Sequence, residues 1–478
     1  MSDASLSIGD RLSRVPVFTA TIVLTYLGLL LSLGMQVLDP MVRHDDFPAL
    51  LAEPAGFYTK TLYEGRWINY LWHLREVVTP SWFNYLVYQF FWAVFAACLA
   101  VTTLGRKGEL WHKVALALLV ALGPSALMIS LWYNTLVPGM GLVALYAWLS
   151  TQLSERTMRR LLLLFVPLTL MAYTTYPLYL LALCLARAET RRSFRDLAGV
   201  MALFIGSFAL GMVLMFALNY FEHGIFGIPM APWRNATLAH DFASALENAK
   251  RIGIFLRLSA WVQGFGFIPM SIAHVLLLVA AAVVVGKRDP WRAIYILAGI
   301  TAGLGLIFIQ TVKTGIFLPV RVNGFAWAQY VVLLTLMVIQ LSEKGGLSKR
   351  MSSNLLRFFV MAYMAGTFQQ ALVFAGWQKQ TREMAADIGP GVEPVFVTGT
   401  YLSLLNAHHA AIQHSRGLRS RLTYLTGRMV ITCEEEPEEC ADLPADMLED
   451  LPLGEIEVHH LADKVIVRLS KQEASLTE

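Results

Sequence analysis

The chain alternates between long apolar stretches and short polar ones. Continuous apolar runs near 20 residues recur along most of its length, and a helix of about 20 residues crosses a hydrocarbon core of ~30 Å. This pattern predicts an all-α polytopic membrane protein with about 11 transmembrane helices. By residue number, the predicted spans are 16–37, 82–104, 113–131, 135–151, 160–173, 175–187, 196–219, 266–286, 293–311, 325–342 and 355–375.

The apolar pattern ends near residue 375, and a different kind of segment follows. An amphipathic stretch at 378–388 predicts a helix. Three later runs have the composition of strands, at 394–399, 428–432 and 464–469. We therefore predict a transmembrane domain at 1–375 and a small C-terminal α/β extracytoplasmic domain at 376–478.

Composition supports a membrane protein and excludes several other classes. Of 478 residues, 56% are apolar and 15% are charged, against roughly 25% charged in ordinary soluble domains. These values exclude a disordered chain, a fibrous repeat and a small disulfide-stapled module. The net charge of +4 combines a basic N-terminal part with an acidic C-terminal part. The residues from Gly376 onward hold 9 Lys/Arg against 17 Asp/Glu. The net charge therefore gives no reason to expect a nucleic-acid partner.

Lys and Arg are unevenly distributed between alternate connectors. With a cytoplasmic N-terminus, the inner segments and their flanks carry 19 of the Lys/Arg residues before Gly376, and the outer loops carry 10. Basic segments resist translocation, so we predict the N-terminus inside and the C-terminal domain outside. The long segments 38–81, 220–265 and 376–478 then lie outside, where we expect the chemistry. Cys433 and Cys440 in the last of these either form a disulfide or remain two thiols.

Two adjacent carboxylates, Asp45 and Asp46, follow His44 shortly after the first span. A carboxylate near the bilayer surface can act as general base toward an attacking hydroxyl. It can also hold a divalent cation against phosphate oxygens. A third interpretation is that these residues cap a helix beginning near Phe47. The residues alone leave the functional and the capping interpretations open.

Cationic and aromatic side chains are the other candidates on the outer face. Arg66 and Arg321 are surrounded by apolar or aromatic residues, and Lys313 shortly precedes Arg321. A guanidinium suits a lipid-linked phosphate through paired hydrogen bonds, although it can also reach ordinary lipid headgroups. Tyr63 and Trp67 flank Arg66 and either belong to an interfacial aromatic belt or line a sugar-binding groove.

Several expected signatures of other functions are missing from the sequence. It contains no GxxxxGK[ST] phosphate loop, no GxGxxG after a strand and no HExxH. Charged residues are nearly absent from the predicted spans, which argues against a proton-coupled carrier or an ion channel. The candidate carboxylates and cations lie in the predicted outer loops, where an enzyme with a lipid-carried donor needs them.

Four elements of the sequence together resemble one group of membrane enzymes. They are His44-Asp45-Asp46, Tyr63-Glu64-Gly65-Arg66-Trp67, Ala172-Tyr173-Thr174-Thr175-Tyr176-Pro177 and Pro319-Val320-Arg321. With these, residues 16–390 resemble the bacterial GT-C membrane glycosyltransferases, and most of all the type II glucosyltransferases that modify O-antigen and convert serotype. The resemblance does not extend to the C-terminal domain.

The resemblance implies a GT-C-like fold and a function. The enzyme would sit in the bacterial inner membrane and transfer a sugar, with inversion, from undecaprenyl phosphate to a lipopolysaccharide-type glycan or lipid-linked acceptor on the periplasmic side. Either Asp45 or Asp46 would be the general base, with the other orienting the acceptor or bridging to a cation. The donor phosphate would be held by Arg66, Arg321 and Lys313. The sugar-binding candidates are His44, Tyr63, Trp67, Tyr173 and Tyr176.

The expected cofactors and partners follow from the same resemblance. The resemblance implies no strict metal requirement and leaves open a divalent cation, Mg²⁺ or Mn²⁺, held by Asp45 and Asp46. The partners would be the polyprenyl-phosphate sugar, the acceptor, membrane lipid, a donor-synthesising enzyme and a small flippase. The alternative functions are a flippase or transporter of lipid-linked sugars, or a polymerase or ligase of surface polysaccharide.

Overall fold

The computed structural model describes residues 15–75, 77–188, 190 and 192–474. Residues 1–14, whose cytoplasmic location is predicted above, and Arg191, one of the predicted inner cations, lie outside the described residues. The described helices before the C-terminal domain are α1 (Val15–Leu33), α2 (Ala55–Glu64), α3 (Trp67–His73), α4 (Ser81–Leu104), α5 (Leu110–Ala121), α6 (Pro124–Ile129), α7 (Tyr133–Gln152), α8 (Glu155–Leu170), α9 (Tyr176–Ala186), α10 (Phe194–His223), α11 (Phe242–Gln263), α12 (Ile268–Arg288), α13 (Pro290–Thr314), α14 (Gly324–Ser342) and α15 (Gly346–Ile388).

Most of the chain is helical and suited to a membrane. Within the described ranges, eight helical segments are long and apolar enough to cross a bilayer: Val17–Val37, Ser81–Leu104, Pro124–Gln152, Phe194–His223, Ile268–Arg288, Pro290–Thr314, Val320–Ser342 and Gly346–Ile388. The other three predicted spans correspond to α5, α8 and α9, which have 12, 16 and 11 residues. At ~1.5 Å per residue these are shorter than a ~30 Å hydrocarbon core. The predicted spans are therefore eight helices of membrane length and three shorter ones.

The helices divide into a central and a peripheral group. In the most apolar 18-residue window of the segment that includes α14, 89% of residues are buried inside the protein, whereas only 17% are buried in the corresponding window of α12. An apolar helix with so little protein contact must face lipid, so α12 lies at the periphery and α14 at the centre.

The predicted loop 220–265 contains a helix that the sequence analysis missed. Its start is fixed by Asp241, whose side chain accepts a hydrogen bond from the backbone N–H of Ser244, while the Ser244 hydroxyl contacts the Asp241 backbone N–H in return. This reciprocal cap stabilises the first turn of α11. Charged residues interrupt the apolar residues of α11, and the hydropathy criterion therefore overlooked it.

The connectors between the helices form two sets. Connectors of one set contact each other through ion pairs and hydrogen bonds. The predicted inner connectors are joined by the ion pairs Arg159–Asp196, Arg192–Asp289 and Arg288–Glu343. The predicted outer connectors are joined by Glu64–Arg234, Asp39–Arg421 and the Trp132–Asp45 hydrogen bond. This grouping agrees with the predicted alternation of successive connectors between the two ends of the helix bundle. Which end lies in the cytoplasm stays a prediction.

The C-terminal region is a small α/β unit. Its elements are β1 (Val395–Thr398), α16 (Leu405–His409), α17 (Arg416–Thr426), β2 (Val430–Thr432), β3 (Ile456–His460) and β4 (Val465–Leu469). The strand order is β2-β1-β4-β3, with β1 parallel to β2 and β4 and with β3 antiparallel to β4. The three predicted strands are confirmed as β1, β2 and β4. Strand β3 was missed, since charged and His residues alternate with its two apolar ones.

The last membrane helix continues into this domain. Helix α15 has 43 residues, about 65 Å at 1.5 Å per residue, so it crosses the predicted domain boundary at 375/376 and includes the predicted helix 378–388. Trp377 on α15 and Leu418 and Leu422 on α17 are buried in the same apolar core as the membrane helices. The domain therefore packs directly on the helix bundle. Cys433 and Cys440 form a disulfide beside β2.

Candidate functional site

The Asp45–Asp46 pair lies in a 3₁₀ segment, His44–Ala49, at the end of the helix bundle where the C-terminal domain packs. Arg43 before it is extended, and Pro48 is part of it. The tight 3₁₀ geometry points the two neighbouring carboxylates in different directions. Asp46 is 0% exposed, whereas the Asp45 side chain is 35% exposed. The two residues therefore have different environments.

Asp46 joins the 3₁₀ segment to the start of α7. One carboxylate oxygen accepts hydrogen bonds from the backbone N–H and the side-chain amide of Asn134, at 3.0 and 2.9 Å. The other accepts the backbone N–H of Thr135 at 2.6 Å and the Thr135 hydroxyl. A carboxylate has about four acceptor positions, and all are in use. Burial raises the pKa of Asp46 to about 6, although these hydrogen bonds favour the charged form.

Asp45 faces an accessible space and is held by two donors. Lys60 on α2 contacts its carboxylate at 3.1 Å and its backbone carbonyl at 2.8 Å. The Trp132 indole N–H donates to the other carboxylate oxygen. Burial by itself raises the pKa of Asp45, but the Lys60 ammonium and other nearby cations lower it well below the ordinary range. Asp45 is therefore ionised at neutral pH and still reachable.

Arg66 is brought to the same site by a turn that requires glycine. Gly65 ends α2 with φ +67°, and a Cβ there would overlap the sulfur of Met215, so other residues fit poorly. Arg66 then pairs with Glu64 at 2.5 Å and lies 5.3 Å from the ring centre of Tyr173. The turn thus directs a guanidinium toward the face that carries Asp45, whose pKa it lowers.

Arg321 reaches the site through Trp132. It lies in a 3₁₀ segment, Val320–Asn323, just before α14, and its guanidinium is 4.2 Å from the Trp132 ring centre. Stacking on an indole holds a guanidinium in place while leaving its edge N–H groups available. Lys313 is placed differently, since it is exposed at the end of α13, and no hydrogen bond or ion pair joins its side chain to the other predicted site residues in the described chain.

The predicted sugar-binding residues have varied surroundings. The His44 ring lies 5.9 Å from that of His414 in the C-terminal domain. Tyr63 packs edge-on against Trp233 at 5.3 Å. Trp67 is 6% exposed, and its indole N–H donates to Asn219 at 2.9 Å. Of these three side chains, His44 and Tyr63 remain partly exposed and Trp67 lies within the core.

The two tyrosines of the broken-helix element are buried. Tyr173 is 6% exposed and Tyr176 is 0% exposed. The Tyr176 hydroxyl is hydrogen-bonded to the Tyr88 hydroxyl at 3.0 Å, so Tyr176 is part of the bundle interior. Tyr173 contributes to the site by the contact of its ring with Arg66.

The sequence analysis missed three residues of the site: Arg43, Lys60 and Trp132. Lys60 contacts Asp45 directly, and Trp132 links Asp45 to Arg321. Trp132 occupies the short connector between two predicted spans on the outer face, a position that could have marked it. The sequence around Lys60 did not mark it as a site residue, because lysine is common in long polar loops.

The described side chains do not complete a divalent-cation site by themselves. No group of three or more His, Cys, Asp or Glu side chains converges anywhere in the described ranges. All four acceptor positions of Asp46 are taken, and Asp45 faces the Lys60 ammonium, which competes with a metal for its oxygen. Mg²⁺ requires about six oxygen ligands in near-octahedral geometry and usually takes several of them from water and from substrate phosphates. Of the two aspartates, only Asp45 has a carboxylate that is not fully occupied by hydrogen bonds from the protein.

Comparison of the chain with protein-family models, with curated proteins and with solved structures gave no match. Similarity to a known protein therefore adds nothing to the geometry, and the site must be interpreted from its own residues.

Proposed function

We propose that this protein is a membrane glycosyltransferase that moves a sugar from a polyprenyl-phosphate carrier to a glycan or lipid-linked acceptor. One observation carries the proposal: the partly exposed carboxylate of Asp45 contacts Lys60 and Trp132, the Trp132 ring also contacts Arg321, and Arg66 lies close enough to lower the Asp45 pKa. An acceptor hydroxyl needs a base, and a leaving lipid phosphate needs cations. The site offers both at the end of an apolar helix bundle.

The side chains suit the steps of an inverting transfer. Asp45 takes the proton from the acceptor hydroxyl as the new bond from oxygen to the anomeric carbon forms. The bond between the anomeric carbon and the phosphate oxygen breaks, and its electron pair leaves with the polyprenyl phosphate. Arg66 and Arg321 stabilise the charge that develops on that phosphate. Lys60 keeps Asp45 ionised until the hydroxyl proton becomes acidic in the transition state.

The topology suits a donor delivered to the outer leaflet of a bacterial inner membrane. We place the N-terminus in the cytoplasm and the C-terminal domain in the periplasm, where the Cys433–Cys440 disulfide is stable. A donor-synthesising enzyme and a small flippase are the partners that such a reaction requires. The apolar surfaces of peripheral helices such as α12 fit the prenyl chain and membrane lipid.

Reconstitution separates the proposed transferase from the alternative flippase. The purified protein in liposomes should move a radiolabelled sugar from polyprenyl phosphate to an added surface-glycan acceptor, producing a labelled glycan and free polyprenyl phosphate. A flippase would carry the labelled lipid across the bilayer without glycan product. A polymerase or ligase would transfer whole oligosaccharide units and would leave a single-sugar donor unused. Either of these results would overturn the proposal.

The pH dependence of the transfer distinguishes the two carboxylates. The low pKa of Asp45 means that its basic form is fully present at neutral pH and lost only in strong acid. If Asp45 is the base, kcat/KM should therefore show no decline between pH 5 and 7 that comes from Asp45. Asp46 has a pKa of about 6, and its protonation weakens the anchoring of the segment. A tenfold decline per pH unit below pH 6 therefore counts against Asp45 as the base only if the melting temperature is unchanged over the same pH range.

A further inference from the structure

The residues from Asp39 to Phe47, here called the Asp45 segment, contact the C-terminal domain repeatedly. The contacts involve Asp39, Arg43, His44 and Phe47. These residues precede and follow Asp45 in the sequence, so the domain contacts the segment along most of its length.

Asp39 forms the first contact. Its carboxylate accepts a hydrogen bond from Arg421 on α17 at 2.7 Å and pairs with Arg382 on α15. Arg421 is 4% exposed. A guanidinium that is so buried needs a carboxylate partner. Asp39 therefore stabilises the buried charge of Arg421, and Arg421 in turn holds Asp39 in place.

Arg43 forms the second contact. Its side chain is buried, and one of its nitrogens donates to the backbone carbonyls of Ala410, at 3.3 Å, and of Ala411. Ala411 has φ +51°, a conformation that alanine rarely adopts. Such a conformation persists only when its surroundings hold it, and the guanidinium of Arg43 is one of the groups that do so. The backbone N–H of Arg43 also donates a hydrogen bond to the carbonyl of Leu131, the residue before Trp132.

Two ring contacts complete this interface. Phe47 packs against Tyr424 on α17 at 6.2 Å between ring centres, and His44 lies next to His414. On the opposite side, Asp46 is bonded to Asn134 and Thr135 of the helix bundle. The Asp45 segment is therefore held from two sides, by the bundle and by the C-terminal domain.

We propose that the C-terminal domain positions Asp45, with Arg43 as the positioning residue that links the domain to the site. The domain is then part of the site and not a separate cover. The catalytic consequence rests on the proposed transferase function, whereas the coupling between the domain and the segment does not.

Hydrogen–deuterium exchange and transfer kinetics together test this inference. Arg43→Gln removes the charged donor to Ala410 and Ala411, and Asp39→Asn removes the partner of Arg421 at a more exposed position. Arg468→Gln is the matched control, because Arg468 pairs with Glu457 within the sheet at 2.7 Å, away from the Asp45 segment. Exchange is measured on the full-length protein in lipid nanodiscs for a peptide covering residues 39–47.

We expect at least tenfold faster exchange of that peptide in Arg43→Gln and Asp39→Asn, and no change in Arg468→Gln. In the liposome assay, kcat of Arg43→Gln should fall by about 100-fold, the cost of a misplaced reacting group, with the KM for the donor nearly unchanged. If Arg43→Gln does not accumulate in the membrane, Asp39→Asn is compared with the wild type and with Arg468→Gln in the same two measurements.

Unchanged exchange in both variants, or an equal increase in the control, overturns the inference even if the wild type transfers sugar. Faster exchange confined to the two variants, in a protein without transferase activity, leaves the positioning intact and removes the proposed function. The two conclusions can thus fail separately.

Discussion

Asp45→Asn should abolish the modification of surface glycans while the protein remains in the membrane at its normal level. Asparagine keeps the size of the side chain and can still accept the Trp132 hydrogen bond, but it cannot take a proton from a hydroxyl. Loss of a general base typically costs ~10²- to 10⁴-fold in rate. The measurement is mass spectrometry of surface glycans from a deletion strain that carries either the wild type or the variant. The variant strain should lack the mass of one sugar unit.

The matched control for this prediction is Glu53→Gln. Glu53 is an exposed carboxylate eight positions further along the chain, so its replacement removes one negative charge from the same loop without touching the site. It should leave the glycan masses unchanged. A glycan of wild-type mass in the Asp45→Asn strain, where deletion does remove a sugar, would show that Asp45 is not the base.

Asp46→Asn should destabilise the protein instead. The amide nitrogen of asparagine cannot accept the N–H donors of the neighbouring α7 residues, so two buried donors lose their partner. Hydrogen bonds to buried charged groups contribute about 1.5–3 kcal/mol each, and the loss of two should lower the free energy of unfolding by about 3 kcal/mol or more. We expect the melting temperature in detergent to fall by about 3 °C, as measured by thermal unfolding of the purified protein.

Two further variants set the scale of this effect. Thr135→Val removes only the hydroxyl donor to Asp46 and should give an intermediate decrease. Asp45→Asn should change the melting temperature by less than ~1 °C, because a partly exposed ion pair contributes little to stability. Equal melting temperatures for Asp46→Asn and the wild type would refute the anchoring role of Asp46.

The sequence analysis selected three charged residues of the candidate site but not the side chains that contact them. Asp45, Arg66 and Arg321 were all recognised as unusual because each is a charge in an apolar or aromatic stretch on the predicted outer face. The different roles of Asp45 and Asp46 were not predictable, since they depend on Asn134 and Thr135, more than 80 positions away. Adjacent identical residues look alike until their distant partners are known.

The membrane helices were predicted well where apolar residues were continuous. Helix α11 was overlooked, because charges interrupt its apolar residues and a hydropathy scan averages them out. The contact between the C-terminal domain and the Asp45 segment was also invisible in the sequence. Its Arg43 part is made with backbone carbonyls, which carry no sequence signal. Its Asp39–Arg421 part joins residues that lie 382 positions apart in the chain.

The initial rate of sugar transfer by purified Asp45→Asn in liposomes tests the central claim most directly. The wild type and Glu53→Gln should transfer label from polyprenyl phosphate to the acceptor at similar rates. Asp45→Asn should be at least ~100-fold slower while its melting temperature stays close to that of the wild type. A folded Asp45→Asn protein that transfers sugar within a few-fold of the wild-type rate would contradict the account.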